Sequence, residues 1–276
     1  MTPRVSVVVP AYNNADYIAE TIDSILGQTF EDFELIIADH ASSDGTLAAI
    51  APYADDPRVT ILDTPAGGGA KANWDRVSQA ASGDLLKLVC GDDTIFPTCL
   101  AEQVAAFDEH PETVLVASQR TLVDAAGKTV LAARGLAGLS GPVSGRVAAR
   151  RAVTAGANIF GEPGCVLMRR AVLEKIGWWD DANPYLIDEA TYVGVALHGD
   201  VVAIPRPLAS FRINAGQWSV RLARQQASQA AAFHEALRAA EPGLLSAMDV
   251  RIGNAKALGT SFMRRAVYMV LKRRMG

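Results

Sequence analysis

Two neighbouring aspartates, Asp92 and Asp93, follow directly on an apolar segment that has the length of a buried strand. Adjacent carboxylates offer the oxygen ligands that Mg²⁺ and Mn²⁺ take in proteins, and a bound cation offsets the charge of a phosphate. A third carboxylate, Asp39, ends an earlier apolar segment, and Gly67–Gly69 with Lys71 follow another. Together these residues predict a site for a nucleotide diphosphate and a divalent metal. On spacing alone, the aspartate pair could equally cap a turn.

Short apolar runs alternate with helix-like stretches through the first part of the chain, and these elements must position the candidate side chains. The predicted strands are Val5–Val9, Phe33–Asp39, Val59–Leu62 and Leu85–Val89. The predicted helices are Ala15–Leu26, Asp44–Tyr53, Ala70–Ala81 and Pro97–Asp108. This alternation predicts an α/β fold with a mostly parallel sheet flanked by helices. Ligands of such sheets bind beyond the carboxyl ends of the strands, where the candidates fall.

The second half of the sequence is less regular. A hairpin is predicted around Gly127, and Gly135–Gly145, rich in Gly and Ser, is predicted to be a mobile loop. From Val220 onward the Ala-, Gln- and Arg-rich composition predicts a helical extension. Further strand candidates are Val114–Ser118, Cys165–Met168 and Val201–Ile204.

Composition narrows the class of protein. The 276 residues are 50% apolar and 20% charged with a net charge of -4, which favours a soluble globular protein and argues against one that coats nucleic acid. Three irregularly spaced cysteines, Cys90, Cys99 and Cys165, fit neither a disulfide framework nor a zinc site and favour a reducing, cytoplasmic compartment. We expect no secretion signal, and no apolar run approaches the roughly 20 residues that span a bilayer.

Three segments carry a resemblance to a known family. Val5–Asn13, Leu35–Thr46 and Gly83–Asp93 resemble the family 2 glycosyltransferases, and the similarity covers about residues 4–215. It continues more weakly through Gly161–Arg170, Leu186–Glu189 and Ser210–Arg212. The resemblance implies a GT-A fold, in which a Rossmann-like sheet binds a nucleotide-diphosphate sugar. The chain departs from the family pattern at three positions, which are His40, Cys90 and Asn214.

The resemblance also implies roles for the strand-end residues. Pro10, Ala11 and Tyr12 would form the pocket for base and ribose, with Asp39 accepting a hydrogen bond from a uracil or thymine N–H. Asp93 would ligate Mg²⁺ or Mn²⁺ directly, and Asp92 would contact the ribose or a metal-bound water. Lys71 is a candidate phosphate contact, although Gly67–Gly69 matches no established phosphate-binding pattern and favours a surface loop.

Asp188 lies where the resemblance places the catalytic base. A base there would deprotonate an acceptor hydroxyl for in-line attack on the sugar, with inversion at the anomeric carbon. Its acidic neighbours Asp180, Asp181 and Glu189 remain alternatives. Trp178 and Trp179 could give an apolar platform for an acceptor sugar, while the competing interpretation makes at least one of them a core residue.

The C-terminal region combines an apolar stripe with positive charge. Leu258, Phe262, Ala266 and Met269 share one helical face, and residues 251–276 contain seven basic and no acidic side chains. Such a helix can lie on an anionic membrane, pack on the catalytic domain, or contact a second copy in a homodimer. The sequence leaves these alternatives open.

The sequence therefore predicts a GT-A domain over residues 1–218 and a helical extension over residues 219–276. The expected activity is metal-dependent sugar transfer from UDP- or dTDP-sugar to a saccharide or lipid-linked acceptor. The protein is expected in the cytoplasm or at the inner face of the cell membrane. A non-catalytic nucleotide-sugar-binding scaffold and a sugar nucleotidyltransferase stay as alternatives. The latter would carry a Gly-rich basic loop after the first strand, where this chain has Pro10–Asn14.

Overall fold

A computed structural model describes residues 2–214 and 225–271, and for residues 265–271 it describes the backbone only. The strands in these ranges are β1 Val5–Ala11, β2 Phe33–Asp39, β3 Val59–Asp63, β4 Leu85–Leu88, β5 Thr94–Ile95, β6 Thr113–Asp124, β7 Thr129–Arg134, β8 Gly141–Ser144, β9 Val166–Arg169 and β10 Asp200–Ile213. The helices are α1 Ile18–Leu26, α2 Thr46–Ile50, α3 Gly69–Gln79, α4 Cys99–Glu109, α5 Gly145–Ala155, α6 Arg170–Lys175, α7 Ile187–Ala196, α8 Gln226–Ala240 and α9 Ala247–Leu271.

All ten strands join one sheet in the order β3-β2-β1-β4-β9-β6-β10-β5, with β7 beside β6 and β8 beside β10. The first four predicted strands are present and form its parallel part, since β1 pairs in parallel with β2 and β4, and β2 with β3. Every residue of β1 is buried, which explains why it is apolar at every position except Ser6, because both faces of the sheet are covered. The predicted α/β architecture is confirmed, and the helix starts differ from prediction by one to three residues.

The rest of the sheet is mixed. Strand β9 runs antiparallel to both β4 and β6, whereas β10 runs parallel to β6. The predicted hairpin is confirmed, because β6 and β7 pair antiparallel and the N–H of Gly127 donates to the Asp124 carbonyl at 2.9 Å. Gly127 has a φ of 77°, a left-handed conformation that glycine adopts without steric cost.

The prediction of a mobile loop over Gly135–Gly145 is wrong. This segment contains a 3-10 turn at Leu136–Gly138 and strand β8, and it ends at the first residue of α5. Its glycines instead permit a positive φ and a close approach between backbones. Gly141 needs a positive φ of 67° where β8 begins, and Gly145 lies so close to α7 that an added Cβ would stand 1.7 Å from the Ala196 carbonyl oxygen. Sequence pattern alone cannot separate these uses of glycine from mobility.

The helical extension packs on the body of the protein. Asp249, at the start of α9, pairs with Arg150 of α5 at 2.9 Å. Where the helices cross, Gly253 of α9 approaches so closely that an added Cβ would lie 2.4 Å from the Val153 carbonyl oxygen. Of the predicted apolar stripe, Leu258 is 50% and Phe262 is 60% exposed.

Three sequence predictions about the C-terminal region lie outside the described residues. These are the side chains of Ala266 and Met269, the last basic residues Lys272–Arg274, and the boundary after residue 218. Within the described ranges, no helix is both long and apolar enough to cross a bilayer.

Candidate functional site

A cleft of about 930 Å³ opens at the carboxyl ends of β1, β2 and β4. Five of the predicted site residues line it, namely Pro10, Tyr12, Asp92, Asp93 and Asp188. The other five do not line it, namely Ala11, Asp39, Lys71, Trp178 and Trp179. The fold thus joins the predicted metal pair and the predicted base in one cavity, at the edge where an open α/β sheet binds ligands.

Asp93 is only 1% exposed and has one unsatisfied oxygen. Its Oδ1 accepts the backbone N–H of Arg212 at 2.9 Å, whereas its Oδ2 is buried without a hydrogen-bond partner. Burial, followed by the nearby charge of Asp92, raises the pKa of the Asp93 carboxyl well above its usual value. A buried carboxylate oxygen without a partner is costly unless a ligand satisfies it, so Oδ2 is a candidate cation ligand.

Arg212 holds the turn that carries this pair. Its side chain is almost fully buried, and its Nε donates to the Asp92 carbonyl oxygen at 2.9 Å. The guanidinium lies 4.6 Å from the ring centroid of Tyr17 and forms an ion pair with Glu20. Arg212 therefore holds the Asp92 backbone through its side chain and the Asp93 carboxylate through its own backbone N–H. The Asp92 carboxylate itself is half-buried and accepts the amide N–H of Asn214 at 2.8 Å.

Asp92 and Asp93 are the two acidic residues of this turn. Among the described residues, no group of three or more His, Cys, Asp or Glu side chains is arranged to hold a metal ion. Cys90, two residues before Asp92, is a thiol whose pKa is raised by burial and by the charges of Asp93, Asp92 and Asp188. These three carboxylates therefore act on the same small volume.

Asp39 lies at the end of β2, just behind the cleft surface. Its Oδ2 accepts the backbone N–H of Ser42 at 3.0 Å, and its Oδ1 is buried without a hydrogen-bond partner. The next residue, His40, does line the cleft, and its Nε2 lies 2.8 Å from the carbonyl oxygen of Gly67. His40 thereby ties the glycine-rich turn before α3 to the end of β2.

The loop after β1 is set by side-chain amides. Tyr12 is 53% exposed at the cleft, and its backbone N–H donates to Asn14 Oδ1 at 2.9 Å. Ala11 is fully buried, so it contributes backbone alone, and its carbonyl accepts an N–H of Asn73 at 3.2 Å. Asn73, buried on α3, also reaches the Ala38 carbonyl at 3.3 Å and so joins the ends of β1 and β2.

Asp188 lies in the first turn of α7 and is half-buried at the cleft. Its Oδ1 accepts the N–H of Glu189 at 2.7 Å, and its Oδ2 accepts the amide N–H of Asn158 at 2.9 Å. Burial raises the pKa of Asp188 to about 7, even though these hydrogen bonds lower it. A carboxylate with that pKa can take a proton from a hydroxyl near neutral pH.

The alternative bases, Asp180, Asp181 and Glu189, differ from Asp188 in their burial or in their distance from the cleft. Glu189 also lines the cleft, but it is 3% exposed, and burial together with the charge of Asp188 raises its pKa to about 8. Asp180 and Asp181 are exposed and do not line the cleft. The geometry therefore leaves Asp188 as the carboxylate with both access and a pKa near neutrality.

The remaining predicted contacts lie away from the cleft. Trp179 is 1% exposed, donates from its ring N–H to Ser78 Oγ at 2.8 Å and meets Trp74 edge-on at 4.8 Å. A buried ring has no face for a sugar, so Trp179 is a core residue in this structure, as the competing interpretation held. Trp178 is half-buried against the same core, and Lys71 pairs with Asp75 on its own helix.

Several positioning residues were not identified from the sequence. Arg212, Asn73 and Asn158 all act through hydrogen bonds to groups distant in the chain. The one available signal was Arg212, which stands in a segment that resembles the family without an assigned role. A lone asparagine on a helix or in a loop carries no comparable pattern.

Comparison with known proteins places the chain in a family. The profile described as Glycosyl transferase family 2 matches residues 6–177. The chain is 41% identical over 105 residues to the chondroitin synthase of Pasteurella multocida strain Pm70, covering 36% of this chain and 11% of that protein. It is 34% identical over 117 residues to the poly(ribitol-phosphate) beta-N-acetylglucosaminyltransferase TarS of Staphylococcus aureus strain Mu50, covering 41% and 20%. The chain thus spans less than half the length of these relatives.

Solved structures extend the similarity over nearly the whole chain. Residues 1–349 of S. aureus TarS in complex with UDP-GlcNAc align with a TM-score of 0.71 at 18% identity, covering 94% of this chain and 72% of that one. The mannosyltransferase PcManGT of Pyrobaculum calidifontis, in complex with GDP-Man and Mn²⁺, aligns with a TM-score of 0.68 at 19% identity, covering 98% and 76%. These alignments confirm the GT-A-like fold. With the profile match over more than half of its residues, this chain belongs to glycosyl transferase family 2.

Proposed function

We propose that this protein transfers a sugar from a UDP- or dTDP-sugar to a hydroxyl of a saccharide or lipid-linked acceptor. The observation that carries the proposal is the joint presence, in one cleft, of a buried aspartate with an unsatisfied oxygen and a half-buried aspartate with a pKa of about 7. The first suits a cation at a diphosphate, and the second suits proton removal from an acceptor.

The fit of a metal is supported by the chemistry of the aspartate pair. Asp93 would hold Mg²⁺ or Mn²⁺ through its unsatisfied Oδ2, and Asp92 would contribute directly or through water. Both ions take oxygen ligands, and the pair leaves room for the donor to supply others. A cation held there would neutralise charge on the departing nucleoside diphosphate.

The nucleotide would lie over the ends of β1 and β2. Asp39 Oδ1, a buried acceptor without a partner, suits the ring N–H of uracil or thymine, and Tyr12 offers an exposed ring beside it. Pro10 and His40, the neighbours of Asp39 at the ends of β1 and β2, both line the cleft. The relative TarS, solved with UDP and with UDP-GlcNAc, supports a uridine donor.

Asp188 would act as the general base. Above pH 7 its carboxylate is mostly ionised, so it can accept the proton of an acceptor hydroxyl as that oxygen attacks the anomeric carbon. A single in-line displacement of this kind inverts the anomeric configuration. No second carboxylate is needed as a nucleophile, so Glu189 is left as a buried neighbour whose pKa is raised by burial and by the charge of Asp188.

The exposed face of α9 bears on the acceptor and on the location of the protein. The exposed side chains Leu258 and Phe262 on α9, with the basic residues of the C-terminal region, favour contact with an anionic membrane surface from the cytoplasm. A homodimer would cover the same apolar face. Vesicle sedimentation with anionic and neutral lipids, beside light scattering of the protein alone, separates the two: salt-sensitive binding to anionic vesicles supports the membrane contact, and a stable dimer without it opposes that contact.

Donor hydrolysis tests the proposed activity without knowledge of the acceptor. The protein is incubated with UDP-, dTDP- and GDP-sugars, with Mn²⁺, Mg²⁺ or a chelator, and release of nucleoside diphosphate is followed. Turnover of a UDP- or dTDP-sugar that needs the metal supports the proposal. Binding of these nucleotides without turnover of any donor, even with a panel of saccharide acceptors, favours the non-catalytic scaffold.

A further inference from the structure

The side chain of Asn158 lies between a glycine turn and the proposed base. Its carbonyl Oδ1 accepts two backbone N–H groups, from Phe160 at 3.0 Å and from Gly161 at 3.2 Å. Its amide nitrogen donates to the Gly161 carbonyl at 2.9 Å and to Asp188 Oδ2 at 2.9 Å. The backbone groups fix which end of the amide is which, because two N–H donors require the oxygen on their side. The atom that faces Asp188 is therefore an N–H donor.

We propose that Asn158 is a positioning residue that holds the Asp188 carboxylate ionised and in one orientation at the cleft. The inference rests on the proposed function only in taking Asp188 as the base. Two directed donors, the Asn158 amide and the Glu189 backbone N–H, each engage one carboxylate oxygen and so fix the plane of the group. Of these two donors, only the Asn158 amide can be removed by a side-chain substitution.

The electrostatic surroundings make this donor necessary. The charged and titratable groups around Asp188 are Glu162, Glu189, Arg120, Cys90 and Tyr192. Burial and the carboxylate of Glu162 both disfavour the ionised form of Asp188. The one cation of this set, Arg120, is paired with Glu162, and this pairing weakens its attraction for the Asp188 carboxylate. Hydrogen bonds to the ionised form are what remain to favour it.

The loop that carries Asn158 is itself held by the C-terminal helix. Gly156 is the C-cap of α5 and has a φ of 63°, and an added Cβ there would lie 2.5 Å from the backbone nitrogen of Ala257 on α9. The α9 helix thus presses on the backbone two residues before Asn158. If Asn158 positions Asp188, the packing of α9 against Gly156 also affects the position of the Asp188 carboxylate at the cleft.

The variants Asn158→Ser and Asn158→Ala separate positioning from loop support. A serine hydroxyl can still accept the backbone N–H two residues ahead, as in a Ser/Thr turn, but it is too short to reach Asp188. Alanine loses both contacts. The two variants should therefore differ in melting temperature yet share the loss of the donor to Asp188.

The measurement is the pKa of Asp188, read from the carboxyl resonance of ¹³C-labelled aspartate in the full chain, with Asp188→Asn to assign the signal. We expect Asn158→Ser to raise that pKa by about one to two units. In donor hydrolysis water takes the place of the acceptor hydroxyl, so the acid limb of kcat/KM should move upward by the same amount, with KM for the donor unchanged. An unshifted Asp188 resonance in both variants would overturn the proposal. A shifted resonance with an unmoved acid limb would retain Asn158 as the positioning group and reject Asp188 as the base.

Discussion

The donor side of the cleft is formed by residues at the ends of parallel strands, whereas the side around Asp188 is assembled from distant loops and helices. Pro10 and Asp39 lie at the carboxyl ends of β1 and β2, and Asp93 comes a few residues after β4. Asn158 comes from the loop after α5, Asp188 from α7, and Thr260 and Met263 reach the cleft from α9. The donor side is thus fixed by strand register, and the other side depends on tertiary packing. Substitutions on the two sides should fail in different ways.

The largest effect is expected at the proposed base. Asp188→Asn should reduce transfer by about 10²- to 10⁴-fold while donor binding stays intact, since the substitution removes proton transfer and little else. Initial rates of transfer beside calorimetric titration of the donor would show both. Asp181→Asn, at an exposed neighbour, is the matched control and should retain wild-type rates. Full transfer by Asp188→Asn would move the base to another group.

The second prediction concerns the metal pair. Asp93→Asn should lower donor hydrolysis about 100-fold or more and abolish its dependence on Mn²⁺, because a neutral amide replaces the charged ligand. The substitution should not lower the stability of the folded state, because the carboxylate that it removes is buried with one oxygen unpartnered. Hydrolysis rates against Mn²⁺ concentration test this, with Asp84→Asn, on the surface beside Arg4, as control. A retained Mn²⁺ dependence would contradict the assignment.

The third prediction concerns the packing of α9 on α5, on the side of the cleft that depends on tertiary contacts. Gly253→Ala should destabilise the protein by about 1–3 kcal/mol, because its Cβ would lie 2.4 Å from the Val153 carbonyl oxygen. Gly259→Ala, on the same helix with nothing within 4 Å, should instead stabilise it by up to about 1 kcal/mol. Urea denaturation measures both. Equal effects of the two substitutions would mean that α9 does not pack at Gly253 as described.

The smallest effect is expected in the pH dependence of stability. Burial raises the pKa of Glu189 from 4.5 to about 8, so the folded protein keeps a proton that the unfolded chain releases. That proton stabilises the fold fully below pH 4.5, and its contribution is lost as the pH rises towards about 8. Across this pH range the melting temperature of Glu189→Gln should therefore fall by a few degrees less than that of the wild type. Parallel curves, as expected for the exposed control Glu235→Gln, would contradict a buried, proton-retaining Glu189.

The same contrast explains what could be predicted from sequence. The parallel strands and their end residues have local signatures, so the positions of Pro10, Tyr12, Asp92 and Asp93 at one edge could be inferred. Asn158 and Asn73 have none, because each acts on groups that only folding brings near. Trp179 was ambiguous for a related reason, since an aromatic residue serves a core and a sugar platform equally well until its burial is known. The glycines of the segment 135–145 predict mobility incorrectly, because close packing and mobile loops both favour glycine.

The most direct test of the central claim is binding of UDP and dTDP with and without Mn²⁺, measured by thermal shift on the wild type and on Asp93→Asn. At a ligand concentration of 100 times Kd, linkage stabilises the native state by about 2.7 kcal/mol, which a melting curve resolves. We predict a shift with UDP or dTDP that grows with Mn²⁺ in the wild type and loses its Mn²⁺ dependence in Asp93→Asn. No shift with any nucleoside diphosphate, or one that Mn²⁺ strengthens equally in both proteins, would contradict the account.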